Sequence, residues 1–71
     1  MMDPLKIDAR GLSCPQPVLL TMQALKKAPA APCEVLVDNP TARQNVTRFL
    51  EKSGRHVTVT ESGGEYVLKA E

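Results

Sequence analysis

The sequence predicts an α+β fold, a two-layer β-α-β-α-β-β sandwich in which a four-stranded mixed sheet carries two helices on one face. Three observations predict it. Apolar residues recur with a period of two, then about 3.6, and repeat that change before two final period-two runs. Proline stands at the opening of both helical stretches and not in their interiors. A Ser-Gly-Gly turn, residues 62–64, separates the last two period-two runs.

Residues 5–9, LKIDA, alternate apolar and polar and read as a half-buried strand that Gly11 breaks. From Pro15 to Ala28 the pattern is helical. Val18, Met22, Leu25 and Ala28 fall on one face, and Gln23, Lys26 and Lys27 on the other. The stretch PAAP, residues 29–32, ends that helix. Residues 33–38, CEVLVD, are apolar on both parities, as expected of an interior strand. Asn39 is a good N-cap and Pro40 suits the first helical position. Ala42, Val46, Phe49, Leu50 and Ser53 then share a face, and Gly54 lies just past the helix end. The runs HVTVT and EYVLKA around the turn form a β-hairpin. Val57 and Val59 face the core, His56, Thr58 and Thr60 face water, and the sheet surface away from the helices is expected to be largely wet.

The chain has 71 residues, enough for one domain over residues 1–71 and one modest core. A chain of this size buries only about 60% of its unfolded surface. Phe49 and Tyr66 are its aromatic residues, so the core is aliphatic and leaves little material for a deep substrate pocket. That favours chemistry at the surface. Nine basic residues against eight acidic ones give a formal charge of +1, with no electrostatic footprint for direct nucleic-acid or membrane binding. No apolar run approaches the ~20 residues of a membrane span, and MMDPLKIDAR lacks the organisation of a secretory signal. A cytoplasmic protein is expected. Two cysteines, Cys14 and Cys33, with no C-x-x-C and a single histidine, His56, point away from a disulfide framework and from zinc, so neither metal nor cofactor is expected.

Cys14 carries the functional reading. It sits in RGLSCPQP, at the N-cap of the first helix, with Pro15 at the first helical position and Pro17 still within the first turn. Proline is tolerated there because those N–H groups have no intrahelical partner. The prolines therefore set where the helix starts. Of residues 15–17 only Gln16 keeps an N–H, within capping reach of position 14. The positive end of the helix dipole favours an anion by about 0.3–1 kcal/mol. Both effects favour thiolate over a thiol whose ordinary pKa is ~8.5. Arg10 adds positive charge if the turn brings it back. The alternative is that Cys14 is a small buried hydrophobe, as many free cysteines are. Its neighbours are polar or turn-forming, which weighs against that. Cys33 shares the parity of Val35 and Val37 and should point inward as a structural residue.

The stretch IDARGLSCPQPVLLTMQALKK closely resembles the signature of the TusA/SirA-like sulfur-carrier family, an acidic residue and a glycine followed by C-P-x-P opening the first helix. Asp8, Gly11, Cys14, Pro15 and Pro17 match it position by position. LVDNPTARQNV resembles the strand-to-helix junction of the same family, and the resemblance covers nearly the whole chain. The tail looks closest to the N-terminal domain of YedF-type proteins, linked to selenium metabolism. Those usually carry a second, DsrE-like domain, so this chain is either a stand-alone relative or the N-terminal part of a larger protein. The resemblance implies a sulfurtransferase activity in which Cys14 accepts sulfane sulfur as a persulfide. The donor would be a cysteine desulfurase or rhodanese-like protein, and the sulfur passes to an acceptor protein in tRNA thiolation, cofactor assembly, or sulfur or selenium metabolism. Two departures bear on partner choice: Asn45 stands where TusA-type relatives often have an acidic residue, and many members have a basic residue near Met22.

Sulfur transfer needs an exposed nucleophilic thiolate and later an exposed persulfide. A second cysteine beside Cys14 would release the sulfur by forming a disulfide, so its absence suits a carrier. Gly11, Pro15, Gln16, Pro17 and Arg10 are expected to support the site. Leu19, one turn on, is either a partly buried flank residue or a docking contact. Lys26, Lys27, Arg43 and Arg48 are expected on solvated helix faces. Asp8 is expected to stabilise the strand-to-loop junction, and His56 to have no catalytic part. Two other functions compete: a non-catalytic interaction module of the same fold, and a thiol redox sensor pairing Cys14 with Cys33.

Overall fold

The computed structural model describes residues 5–12, 16–27 and 31–71. The elements follow the expected order: β1 Leu5–Asp8, α1 Gln16–Lys27, β2 Cys33–Val37, α2 Pro40–Lys52, β3 Val57–Ser62 and β4 Glu65–Ala70. The sheet order is β1-β2-β4-β3, with β1 parallel to β2 and the other two pairs antiparallel. A parallel pair needs a long crossover, and α1 supplies it. Strand boundaries move by one or two residues, since β1 stops at Asp8, β2 stops at Val37, and β3 runs from Val57 to Ser62 where HVTVT spans 56–60. Ala9 still donates its N–H to the Leu36 carbonyl at 2.8 Å, so the ladder outlasts the strand. The expected helix limits Pro15 and Ala28 lie outside the described residues.

Both helices pack on one face. Cys33, Val35 and Val37 of β2 and Tyr66, Leu68 and Ala70 of β4 point into that layer and are buried. The register sets Ile7 opposite Val35, Val35 opposite Leu68 and Leu68 opposite Val59, one aliphatic row across all four strands. Ala42, Val46 and Leu50 of α2 close over the row, and Leu12, Val18, Leu20 and Leu25 pack at its margin. Burying a Val or Leu side chain stabilises the fold by about 1.5–3 kcal/mol.

Both ends of α2 follow from sequence chemistry. Asn39 is extended, and its Oδ1 accepts from the Ala42 N–H at 2.7 Å, with Pro40 opening the helix. At the other end Gly54 donates to the Glu51 carbonyl and Arg55 to the Leu50 carbonyl, the pair of bonds that satisfies the last turn. The hairpin closes through Gly63 and Gly64, both at positive φ (58° and 82°), as a two-residue primed turn requires.

Four expectations are corrected. The buried line of α1 runs through Pro17 and Thr21, while Val18, Met22 and Leu25 are its flanks. Thr21 is polar, yet its hydroxyl donates to the Pro17 carbonyl at 2.9 Å and asks nothing of the core. Val59 has the parity of the core but is 41% exposed, because β3 is an edge strand that α2 only partly overhangs. The far face of the sheet is not uniformly polar: Leu36 and Val67 sit half-buried at its centre, beside Lys6, Asp8 and Glu34. Arg43 does not extend into solvent but stacks over the Tyr66 ring at 5.0 Å.

Candidate functional site

The chain leaves β1 at Asp8, turns through Arg10 and Gly11, and enters α1 at Gln16. The segment between is anchored on both sides. Before it, Ala9 is buried, Leu12 packs at the core margin and Gly11 is tied to β2. After it, Pro17 is buried at the base of α1. Cys14 and Pro15 lie outside the described residues, in the three-residue span that these anchors bracket.

The anchor at Gly11 is specific. Its N–H donates to Asp38 Oδ2 at 2.8 Å, fixing the loop to the carboxyl end of β2. Gly11 has φ +76°, a conformation in which any side chain is strained. Open space surrounds the position of a Cβ, so its glycine is required by the backbone and not by crowding.

Beside it, Arg10 makes a fork with Asp8. Nε donates to Oδ1 and Nη2 to Oδ2, both at 2.9 Å, and the Arg10 backbone N–H adds a bond of 3.2 Å to Oδ1. Nη1 reaches Glu65 Oε2 at 3.2 Å, across the sheet at the start of β4. The Arg10 side-chain hydrogen bonds, then its backbone N–H, hold the Asp8 carboxyl well below the usual range, at about 2. The same carboxylates push the Arg10 guanidinium further toward its charged form. The positive charge expected of Arg10 is thus already matched by two carboxylates in contact with it, and the residue is placed as a strap between β1, the loop and β4.

The structure brings Asp8, Arg10, Gly11, Asp38 and Glu65 to one corner. Asp38 and Glu65 were not among the expected site residues. Asp38 carries a signal in sequence, an acid at a strand end directly before an N-cap. Glu65 carries none, because only sheet pairing delivers it. Among the described residues no group of His, Cys, Asp and Glu is arranged to hold a metal ion; at this corner Asp8 and Glu65 pair with the Arg10 guanidinium and Asp38 accepts from the Gly11 N–H.

Gln16 and Leu19 are exposed on α1, Leu19 by 41%, in line with Gln23 and Lys26. Met22 and Asn45 are half-buried, and Arg48, Lys26 and Lys27 are exposed. Cys33 is 1% exposed at the opposite end of β2 from Asp38. Burial pushes its thiol pKa up, against a smaller opposing pull from Arg55. His56 is exposed at that same far end, where its backbone exchanges hydrogen bonds with Glu71.

With this corner in view, the match to known proteins is decisive. The family described as Sulfurtransferase TusA matches residues 5–71, spanning every element and the C-P-x-P stretch. The chain belongs to the TusA family. It is 39% identical over 68 residues to "Putative sulfur carrier protein MJ0990" of Methanocaldococcus jannaschii, covering 90% of this chain and 91% of that protein. The crystal structure of the SirA-like protein of Desulfitobacterium hafniense superposes with a TM-score of 0.84 at 30% identity, covering 93% of each chain. The four-stranded mixed sheet with two helices on one face is thus a fold shared with that SirA-like protein. No helix among the described residues is long and apolar enough to cross a membrane.

Proposed function

We propose that residues 1–71 form a sulfur-carrier domain that accepts sulfane sulfur on Cys14 and relays it to an acceptor protein. The observation that carries this reading is the family match over residues 5–71, which includes the C-P-x-P stretch within which α1 opens at Gln16. The Cys14 thiolate attacks the outer sulfur of a donor persulfide. The donor S–S bond breaks, its thiolate leaves, and Cys14 becomes the persulfide. An acceptor thiolate then attacks the outer sulfur of that persulfide, and Cys14 returns as the thiolate. Each step moves one sulfane sulfur between thiols, with no net oxidant. A cysteine desulfurase or a rhodanese-like protein is the class of donor that supplies such a persulfide, and the reducing cytoplasm keeps the resting thiol free.

The geometry supports positioning roles for the residues on either side of Cys14. Arg10, Gly11 and Asp38 hold the chain just before the cysteine and the buried Pro17 holds it just after, while Gln16 supplies the first-turn N–H beside it. Leu19 offers an exposed apolar contact on the same helix, one turn from Gln16, to a donor or acceptor. The redox-sensor reading loses ground because Cys33 is buried at the other end of β2 from the Gly11–Asp38 tie.

The test is intact mass after incubation with a cysteine desulfurase and cysteine. Wild type should gain one sulfur and Cys14→Ser none. A wild type that alkylates readily yet gains no sulfur from any persulfide donor would end the carrier reading.

A further inference from the structure

Strand β3 is the outer edge of the sheet, six residues long, against four for the other edge, β1. Exposed edges are normally guarded by lysine, proline, a bulge or a covering element. Residues 57–60 of β3 read VTVT, a run of high β-propensity that holds no charge, proline or glycine. Val59 lies opposite the fully buried Leu68 and is nevertheless 41% exposed, at the floor of a groove walled by Thr47, Arg48 and Glu51 of α2. Arg48 and Glu51 make no side-chain ion pair among the described residues.

The hairpin tells which backbone groups are free. A two-residue turn makes the flanking pair, Ser62 and Glu65, a hydrogen-bonded pair. Alternation then directs the N–H and C=O groups of Thr58 and Thr60 toward β4, and those of Val57, Val59 and Glu61 outward. A second β3 strand laid antiparallel about a two-fold axis at Val59 meets those groups with its own. Val59 pairs with Val59 of the second copy and Val57 with Glu61, each pair exchanging two backbone bonds, while Thr58 falls opposite Thr60. Opposed β-branched and Thr–Thr pairs are favourable cross-strand neighbours. The same axis sets the two α2 helices antiparallel above the seam, so that Arg48 of each copy looks toward Glu51 of the other. Strand and helix are thus self-complementary about one axis.

We propose that the β3 edge is a homodimer interface, in which two copies join their sheets into one continuous eight-stranded sheet through antiparallel β3–β3 pairing centred on Val59. The Asp8, Arg10 and Gly11 corner belongs to β1, at the opposite edge, so both carrier sites face outward. An interface of one strand pair and two helix flanks is small, and the dimer is a weak, reversible one. This inference does not depend on sulfur chemistry, and its failure would leave the carrier reading untouched.

Sedimentation equilibrium of the full chain tests it. At up to millimolar chain, wild type should approach twice the 7.7 kDa chain mass, and Val59→Lys should stay at one chain mass with an unchanged circular dichroism spectrum. Arg48→Glu should weaken association roughly two- to fivefold per ion pair, and adding Glu51→Arg to it should restore it. The register is read by mixing Thr58→Cys with Thr60→Cys, each in a Cys14→Ser background. Mild oxidation should cross-link the mixture and neither protein alone. A wild type that remains one chain mass at every concentration overturns the proposal, as does a dimer indifferent to Val59→Lys.

Discussion

Arg10 holds Asp8 through two parallel bonds of 2.9 Å and touches Glu65 with the other end of its guanidinium. A residue that sequence suggests as a source of positive charge thereby becomes a strap. All three side chains are substantially exposed, from 43% to 59%, so the pairs add little to global stability. Their effect is local, on the turn that leads to Cys14.

The strap predicts a separation of stability from activity. Arg10→Ala should leave the melting temperature nearly unchanged and slow sulfur loading of Cys14 roughly ten- to hundredfold, the scale at which small misplacements of a reacting group are felt. Arg10→Lys keeps the charge but loses the planar fork, and should fall between. Loading rates against a desulfurase, with thermal melts in parallel, decide it. An Arg10→Ala protein that loads at the wild-type rate would remove the strap from the mechanism.

Acid should release the strap in a defined window. The Asp8 carboxyl sits at about 2 in the folded chain against an ordinary 3.8. A depressed acid stabilises the folded state above its unfolded pKa and loses that contribution as pH falls to the folded one. Wild type should therefore exceed Asp8→Asn in stability above about pH 4, by a small margin because the pair is exposed, and the difference should disappear as pH falls through about 2. Paired acid titrations by circular dichroism measure this, and the Asp8 carboxyl carbon shift reports its pKa directly.

Strands β3 and β4 should respond differently to truncation on the helix face. Leu68→Ala opens a cavity in a fully buried row and should cost about 2–5 kcal/mol. Val59→Ala, next to it across the pair, should cost less than about 1 kcal/mol because its side chain is partly in water already. Urea denaturation of the two variants makes the comparison. Equal losses would mean that Val59 belongs to the core after all.

Asn39→Ala should cost about 0.5–2 kcal/mol by leaving the Ala42 N–H without its acceptor, and Asn39→Asp should recover most of the loss. Denaturant midpoints of the three proteins test the cap.

Cys33 should behave as packing. Its thiol is buried and its pKa raised, so it should resist alkylation in the native protein and react at once in denaturant. Cys33→Ala should load sulfur at the wild-type rate. Loss of loading would instead give Cys33 a part in the transfer.

Much of the fold was legible along the chain, because it rests on local rules. Asn39-Pro40 caps α2, Gly63-Gly64 turns the hairpin, and alternation in VTVT and EYVLKA sets two strands, each within a few residues of sequence. What failed was relational. Thr21 joined the core because Pro17, four residues back, accepts its hydroxyl. Val59 left it because α2 covers the edge strand only in part.

The candidate site divides the same way. Sequence by itself predicted a helix opening at the prolines around Gln16, since proline's missing N–H costs nothing in a first turn, and α1 does begin at Gln16. Sequence also set the inward parity of Cys33. Only the tertiary structure decided what holds that start in place. Parallel pairing of β1 with β2 brings Asp38 to Gly11, and antiparallel pairing of β2 with β4 brings Glu65 to Arg10, contacts across 27 and 55 residues. Periodicity reports which face a residue takes. Which distant residue shares that face is fixed by strand register, and register exists only once the sheet has formed.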